Sequence, residues 1–346
     1  MRILTMKQIK THDAVDHTLC HDVTQIIKGE VKGALFNKGH VITENDIPTL
    51  LYLGKDHVYV WEDDENMLHE NDAAEILSKL CINENMRVTE PKEGKIDVIA
   101  SADGLLVVDN ELLNEINSFG ELIIATRASG SFVKRGDKLC GTRIIPLAIE
   151  KSKIEQVCKI AKNKPLLKLL PIKKKKYGII TTGNELFYAR KNDTFTPVVR
   201  EKLDAYGCEL ITHVILEDSH EHITTAIKGI LDSGAEIVLC TGGMSVDPDD
   251  RTPLGIKNAA DKVVSYGAPM LPGSMFMLAY MDDGRAICGL PGCVMYSKYT
   301  IFDIVLPHLL ADVPITNEWL ASLGNGGLCL DCEQCHFPNC SFWKGI

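Results

Sequence analysis

Two short stretches of this 346-residue chain hold residue types and spacings that can do chemistry. The first is Cys240-Thr-Gly-Gly-Met-Ser-Val-Asp-Pro-Asp-Asp-Arg-Thr252. The apolar run before it, from Glu236 to Cys240, reads as a buried parallel strand. Thr252-Pro253 reads as a helix start, with Thr252 as N-cap and Pro at the first helical position. Between them glycines allow a tight turn and three carboxylates gather: Asp247, Asp249 and Asp250. A strand end with free N–H groups beside a helix N-terminus favours an anion such as phosphate. The carboxylates would repel a bare phosphate. They point to a divalent cation, or to acid–base work, beside an anionic ligand. An acidic surface loop with turn glycines is the plainer alternative.

The second stretch carries Cys329, Cys332, Cys335 and Cys340, spaced C-x2-C-x2-C-x4-C. Four thiolates this close in sequence can converge on one centre, and tetrathiolate sites suit zinc or an iron–sulfur cluster. The first three follow ferredoxin spacing and Pro338 lies near the fourth. In ferredoxins that fourth Cys serves another cluster, so both metals stay open. His336 is a substitute ligand. Free thiols so clustered would invite oxidation. Gly324-Asn-Gly-Gly327, just ahead, reads as a flexible link.

Residues 177–311 must position the first stretch. Strands are expected at Tyr177–Thr182, Cys208–Leu216, Glu236–Cys240, Val263–Tyr266, Phe276–Met281 and Arg285–Gly289. Helices start at Thr196-Pro197, at an Asp218–Glu221 capping box, at Pro253, and at about Cys293. Such alternation with short connections means an α/β fold, a mostly parallel sheet in a three-layer arrangement. The crossover rule sends three loops to one sheet edge: Thr181–Leu186, Thr241–Ser245 with its aspartates, and Gly289–Cys293. Glu185 then faces Asp249 and Asp250, and two or three such carboxylates can hold Mg²⁺ with water. Cys293 follows the third turn at a helix start, where a thiol pKa can fall; a buried filler is the alternative. Arg251 and Lys257 are phosphate partners or solvated helix charges.

The remaining chain sets boundaries. Its 37 basic against 47 acidic residues, net −10, argue against broad nucleic-acid binding. No long apolar run suggests a membrane span or a secretory leader, so a cytoplasmic location is expected. Twelve cysteines there mean thiols or ligands rather than disulfides. Four domains are expected. Residues 1–65 form a small α+β module, with a helix Asp46–Leu53 capped by Thr43, a strand His57–Trp61 and a solvated acidic run Glu62–Glu65. Residues 66–170 form a β-rich module with flanking helices near Asn71–Leu80 and from Glu150. The α/β domain spans 171–315 and the Cys-rich tail 316–346. His12, His17, His21 and Asp22 are metal ligands or, on the plainer reading, surface and core histidines. The Lys173–Lys176 run is solvated linker, or draws an anionic ligand.

The three turns stand as Thr182-Gly183-Asn184-Glu185-Leu186, Thr241-Gly-Gly-Met-Ser245 with Asp250-Arg-Thr252, and Leu290-Pro291-Gly292. Residues 177–311 thereby resemble the molybdopterin-binding domain of molybdenum-cofactor biosynthesis proteins, both the molybdotransferase (MoeA, gephyrin) and adenylyltransferase (MogA) types. Pro269-Met-Leu-Pro-Gly-Ser274 is similar to that family's Lys-Pro-Gly segment, and residues 1–170 are placed like the two leading molybdotransferase domains. The resemblance implies molybdopterin, or its adenylylated form, as ligand and Mg²⁺-assisted insertion of molybdate as reaction. It implies Glu185, Asp249 and Asp250 as catalytic residues. It implies contacts to the pterin from Thr182, Gly183, Asn184, Gly242, Gly243, Ser245, Pro272, Gly273, Ser274, Leu290, Pro291 and Gly292. A homodimer and a recipient molybdoenzyme follow from the same likeness. Two departures stand out. The family's Asp in the first turn is Asn184, and no stretch of residues 1–346 reads as its closing β-rich domain. Hence a non-catalytic pterin carrier or sensor, its thiol tail reporting metal or redox state, is an alternative. A nucleotide pyrophosphatase or amidase of the competence-damage type, which shares the domain, is another.

Overall fold

The computed structural model describes residues 4–27, 31–63, 66–162 and 164–345. They divide into two compact units, Met1–Leu169 and Leu170–Ile346. In the first unit, strand Leu4–Lys10 pairs antiparallel with His57–Asp63, and Val23–Ile27 with Val31–Phe36. Leu19, Ile42, Leu50, Val58 and Val60 form their core. The short helix is Ile47–Tyr52, and Thr43 does not cap it. Thr43 instead donates from its N–H and hydroxyl to the Asp46 carboxylate. The acidic run Glu62–Glu65 falls partly outside the described residues; Glu62 and Asp63 belong to the strand.

A second core in this unit lies under a four-stranded sheet of Met86–Val88, Lys95–Ala100, Lys138–Ile144 and Leu122–Thr126. Helix Glu70–Cys81 contributes Ala73, Ala74, Leu77 and Cys81, the 3–4 residue spacing of one buried face. This β-rich stretch also holds a helix, Asn110–Asn117, that its strand and turn signals do not predict. It starts where the Asp109 carboxylate accepts the Leu112 N–H at 3.0 Å, an N-cap of the favoured residue type.

The second unit holds the α/β layer. Its strands are β1 (Lys176–Thr182), β2 (Glu209–Leu216), β3 (Ile237–Thr241), β4 (Lys262–Tyr266), β5 (Met277–Tyr280) and β6 (Ala286–Leu290). They form one sheet in the order β2-β1-β3-β6-β5-β4. The first four in that order run parallel; β5 is antiparallel to both of its neighbours, β6 and β4, so it alone runs against the rest of the sheet. Residues 177–182 of β1 and all of β3 and β6 are buried, as expected for central strands covered on both faces. Helices are α1 (Asn184–Phe187), α2 (Phe195–Asp204), α3 (His220–Asp232), α4 (Thr252–Ala259), α5 (Ile301–Leu310) and α6 (Asn317–Ser322).

The expected helix starts are displaced: α2 begins at Phe195, so Thr196 lies inside it and does not cap it, and two others differ more. The long helix from about Cys293 is a 3-10 turn, Gly292–Met295, followed by a separate α5. Thr300 and Asp303 make a full capping box there, which starts a new helix rather than continuing an old one. α3 is capped by Ser219, not Asp218, whose side chain is engaged elsewhere. Lys173 and Lys175 pair with Asp312, and Lys176 opens β1, so this lysine run sits at the amino edge of the sheet.

Beyond α6 the described chain has no regular helix or strand. The Gly324–Gly327 segment is not a flexible link. A Cβ on Gly327 would lie 2.3 Å from the Pro269 carbonyl oxygen and 2.6 Å from that of Leu323. The neck therefore needs glycine for close backbone packing, not for freedom. Leu271 N–H donates to Gly327 O, and Cys329 N–H to Leu271 O, both at 2.8 Å.

Candidate functional site

Register decides where the three loops meet. Thr181 of β1 is level with Thr241 of β3, and Thr241 with Leu290 of β6. Three neighbouring parallel strands thus end together, and their turns open one cavity of about 780 Å³. Its walls include Thr182, Glu185, Gly242, Gly243, Ser245 and Asp250 from the first two turns. Leu290, Pro291, Gly292 and Cys293 come from the third turn, and Pro272, Gly273 and Ser274 from the segment before β5. Carboxylates and glycine corners from separate parts of the sheet share one hollow.

Three of the singled-out residues stand outside that lining: Gly183, Asn184 and Asp249. Asn184 is turned to Asp218. Its N–H donates to Asp218 Oδ2 at 3.0 Å, and its amide oxygen accepts the Asp218 N–H at 3.4 Å. Asp249 is exposed at the turn tip. Asp250 closes that turn, its carboxylate accepting the Asp247 N–H at 3.1 Å. Arg251 and Lys257 are exposed and do not line the cavity either. Thr252 is not the cap of α4 but its first residue, fully buried, and its hydroxyl lies 3.0 Å from that of Thr182. This bond ties the second turn to the first. Gly242 makes the tie possible: at φ +81° it packs so closely that a Cβ would sit 2.2 Å from the Thr182 carbonyl oxygen.

Other residues of the site went unread in the sequence. Asp193 and Thr194 line the cavity, as does Lys191, the one cationic side chain in its lining among the described residues. The Thr181 hydroxyl lies 3.0 Å from His213 Nε2 and 3.3 Å from Asp193 Oδ2. Burial works to raise the Asp193 carboxyl, but Thr196 and Phe195 donate to it and His213 faces it, so its pKa falls below the usual value. Only the fold brings these groups together, from β1, β2 and the start of α2. The Asp193-x-Phe-Thr196 spacing is the one local sign, since Asp favours the turn before a helix.

Electrostatics follow from the lining. Glu185, Asp193, Asp247 and Asp250 face Lys191 alone. Behind them, burial raises the Asp218 carboxyl pKa, as do the neighbouring Glu185 and Asp250 charges, against the Asn184 N–H and Thr182 hydroxyl that favour ionisation. Cys293 has no activated thiol: burial raises its pKa, outweighing its own backbone N–H. Among the described residues no three His, Cys, Asp or Glu side chains already converge as a metal site, in this cavity or in the tail. The same holds for His12, His17, His21 and Asp22; His17 and His21 bond to nearby carbonyls instead. The acidic cavity still suits Mg²⁺, which keeps several waters and takes one or two carboxylates plus ligand phosphates.

The tail thiols border a different hollow. Cys329, Cys332, Cys335 and Cys340 all line a cavity of about 290 Å³.

Comparison with known proteins falls on the same segment. Residues 178–311 match the family described as a probable molybdopterin binding domain, and residues 8–62 match a domain of unknown function. A molybdopterin adenylyltransferase of Pyrococcus furiosus is 30% identical over 92 residues, 27% of this chain and 54% of that protein. A molybdopterin molybdenumtransferase of Synechococcus elongatus is 21% identical over 233 residues, 64% and 55% of the two chains. A CinA-like protein of Desulfosudis oleivorans is 33% identical over 84 residues, 24% and 20%. The chain thus spans about half or less of the length of these relatives. No helix among the described residues is long and apolar enough to cross a membrane.

Proposed function

We propose that the chain binds molybdopterin, or its adenylylated form, and acts in molybdenum cofactor biosynthesis by Mg²⁺-dependent insertion of molybdate. One observation carries the reading: three turns from strand ends in register line a single cavity of about 780 Å³. The backbone around Gly242, Gly243 and Ser245 takes the terminal phosphate, and Lys191 supplies the nearest cation. Glu185 and Asp250 would hold Mg²⁺, whose charge would screen molybdate from the phosphate. Asp193, Thr181 and His213 fix the floor on which the ligand rests. Pro272, Gly273 and Ser274 close one side, and Leu290, Pro291 and Gly292 another. A homodimer, a recipient molybdoenzyme and a cytoplasmic location belong to the same proposal.

A carrier without turnover is the second reading. Asn184 favours it, because it stands outside the cavity lining and its side-chain oxygen accepts the Asp218 N–H. The test incubates purified protein with molybdopterin, Mg²⁺ and molybdate, then reconstitutes an apo-molybdoenzyme. Expected is active cofactor with wild type and at least a tenfold loss with Asp250→Asn. Pterin binding without active cofactor sinks the insertion reading and leaves the carrier. Absence of pterin binding with hydrolysis of ADP-ribose moves the chain to the competence-damage class.

A further inference from the structure

We propose that Cys329, Cys332, Cys335 and Cys340 form a single thiophilic metal centre, zinc or an iron–sulfur cluster, built against the wall of the acidic cavity. The proposal stands whatever ligand that cavity takes. All four thiols line the same 290 Å³ hollow. A water occupies about 30 Å³ of liquid, so this hollow has room for an ion or a small cluster. Its other walls mix aromatic with polar residues: Tyr299 and Phe337 stack with ring centroids 4.2 Å apart, Phe342 meets Phe337 at 6.3 Å, and Lys298, Asp331 and His336 also line it. Four cysteines beside aromatic rings, with polar groups near enough to hydrogen-bond a ligating sulfur, give a ligated thiolate its surroundings.

The loop that carries the thiols has fixed ends. At its start, Leu328 bridges Leu271 and the Cys329 N–H donates to Leu271 O. At its end, the Trp343 N–H donates to Gly326 O at 2.8 Å, and Phe342 and Trp343 are buried. Closing a loop is part of the entropic cost of bringing distant ligands together, and the fixed ends have already met that part, leaving the thiols between them to converge. Between those ends the described chain has no helix or strand, and Cys332 and Cys335 are exposed. A segment with so little core of its own gains its order from a bound metal. Loading draws the four thiols inward, and each ligating thiol gives up its proton.

The centre also has a neighbour. Pro272 and Tyr296 line both hollows, and Leu271, which holds Cys329, lines the acidic one. Metal at the tail therefore stiffens the 271–273 wall.

The test uses the full chain, purified anaerobically, beside a variant with all four tail cysteines changed to Ser. Zinc, iron and acid-labile sulfide are measured per chain, with an absorption spectrum. Expected is either about one zinc, or about four iron and four sulfide with a visible chromophore, falling at least tenfold in the variant. Zinc without colour assigns the ion; iron with sulfide assigns the cluster. A second measurement needs no variant: alkylation of each cysteine is followed by mass spectrometry in loaded and chelator-stripped wild type. Loading is expected to slow the four tail thiols at least tenfold while leaving Cys158 unchanged. Metal retained by the Ser variant, no uptake by stripped protein offered Zn²⁺ or Fe²⁺ with sulfide, or equal alkylation in both states would overturn the proposal.

Discussion

The acidic cavity and the thiol hollow share Pro272 and Tyr296 in their walls, yet they are held in different ways. The cavity's groups hang from the ends of three buried parallel strands in register, and backbone packing between Gly242 and Thr182 locks two of its turns. The thiol hollow hangs on a loop without regular structure, fastened at its neck and by a few aromatic side chains. A site at strand ends is positioned by the sheet before any ligand arrives. A site on a closed loop needs its ligand to complete it. The comparison teaches that rigidity here comes from where the backbone is committed, not from how many donors a sequence gathers.

The sharpest way to break the contrast is at Gly242. A Cβ there would meet backbone at 2.2 Å, in a φ region that side chains avoid. Gly242→Ala is expected to destabilise the second unit by roughly 3 kcal/mol or more and to abolish ligand binding in the acidic cavity. Chemical denaturation with a binding titration checks both. A variant of unchanged stability would mean that the turns are not locked together.

Gly327→Ala tests the neck in the same manner. Contacts at 2.3 and 2.6 Å to carbonyl oxygens predict a loss of roughly 2 kcal/mol. Hydrogen exchange is expected to speed up at Leu271 and Cys329, whose N–H groups are bonded there, while β3 stays protected. Equal acceleration throughout the sheet would erase the distinction between the two regions.

The smallest effect sharpens the cavity's charge. Asp218 has a raised carboxyl pKa, so its ionisation is opposed by the folded state through burial and through Glu185 and Asp250. Its neutral form favours folding below the unfolded carboxylate pKa, and that advantage is lost as pH rises through the folded value. Asp218→Asn is therefore expected to raise stability at pH 7 by under ~1 kcal/mol, solvent screening included. The gain should vanish toward pH 3. Thermal melts across that window decide it; a gain that persists in acid would point to packing instead of charge.

Much of this arrangement could be read from residue order. Apolar runs without alternation gave the central strands, since both faces of a parallel sheet are covered. Glycine corners after those runs marked the cavity's edge, and the α/β alternation put the three turns on one side. Local rules failed where two signals competed. Thr252 looked like a cap before a proline, but a buried hydroxyl found a better partner in Thr182, 70 residues away. Asn184 looked like a ligand contact, but Asp218 engages its backbone N–H and its side-chain oxygen. Asp193, His213 and Thr181 carry no joint signature, because they come from three elements.

By itself, then, the order of residues determined which elements form and which edge of the sheet collects glycine and carboxylate, because periodicity and turn chemistry act over a few neighbours. It also determined that four thiols lie within twelve positions. Tertiary structure alone decided which of the acidic groups face the hollow, which are bound to other protein groups, and that Gly324–Gly327 is a packed neck. Those outcomes depend on what packs against each residue from distant parts of the chain, and burial gives most polar groups a partner that no local rule can name.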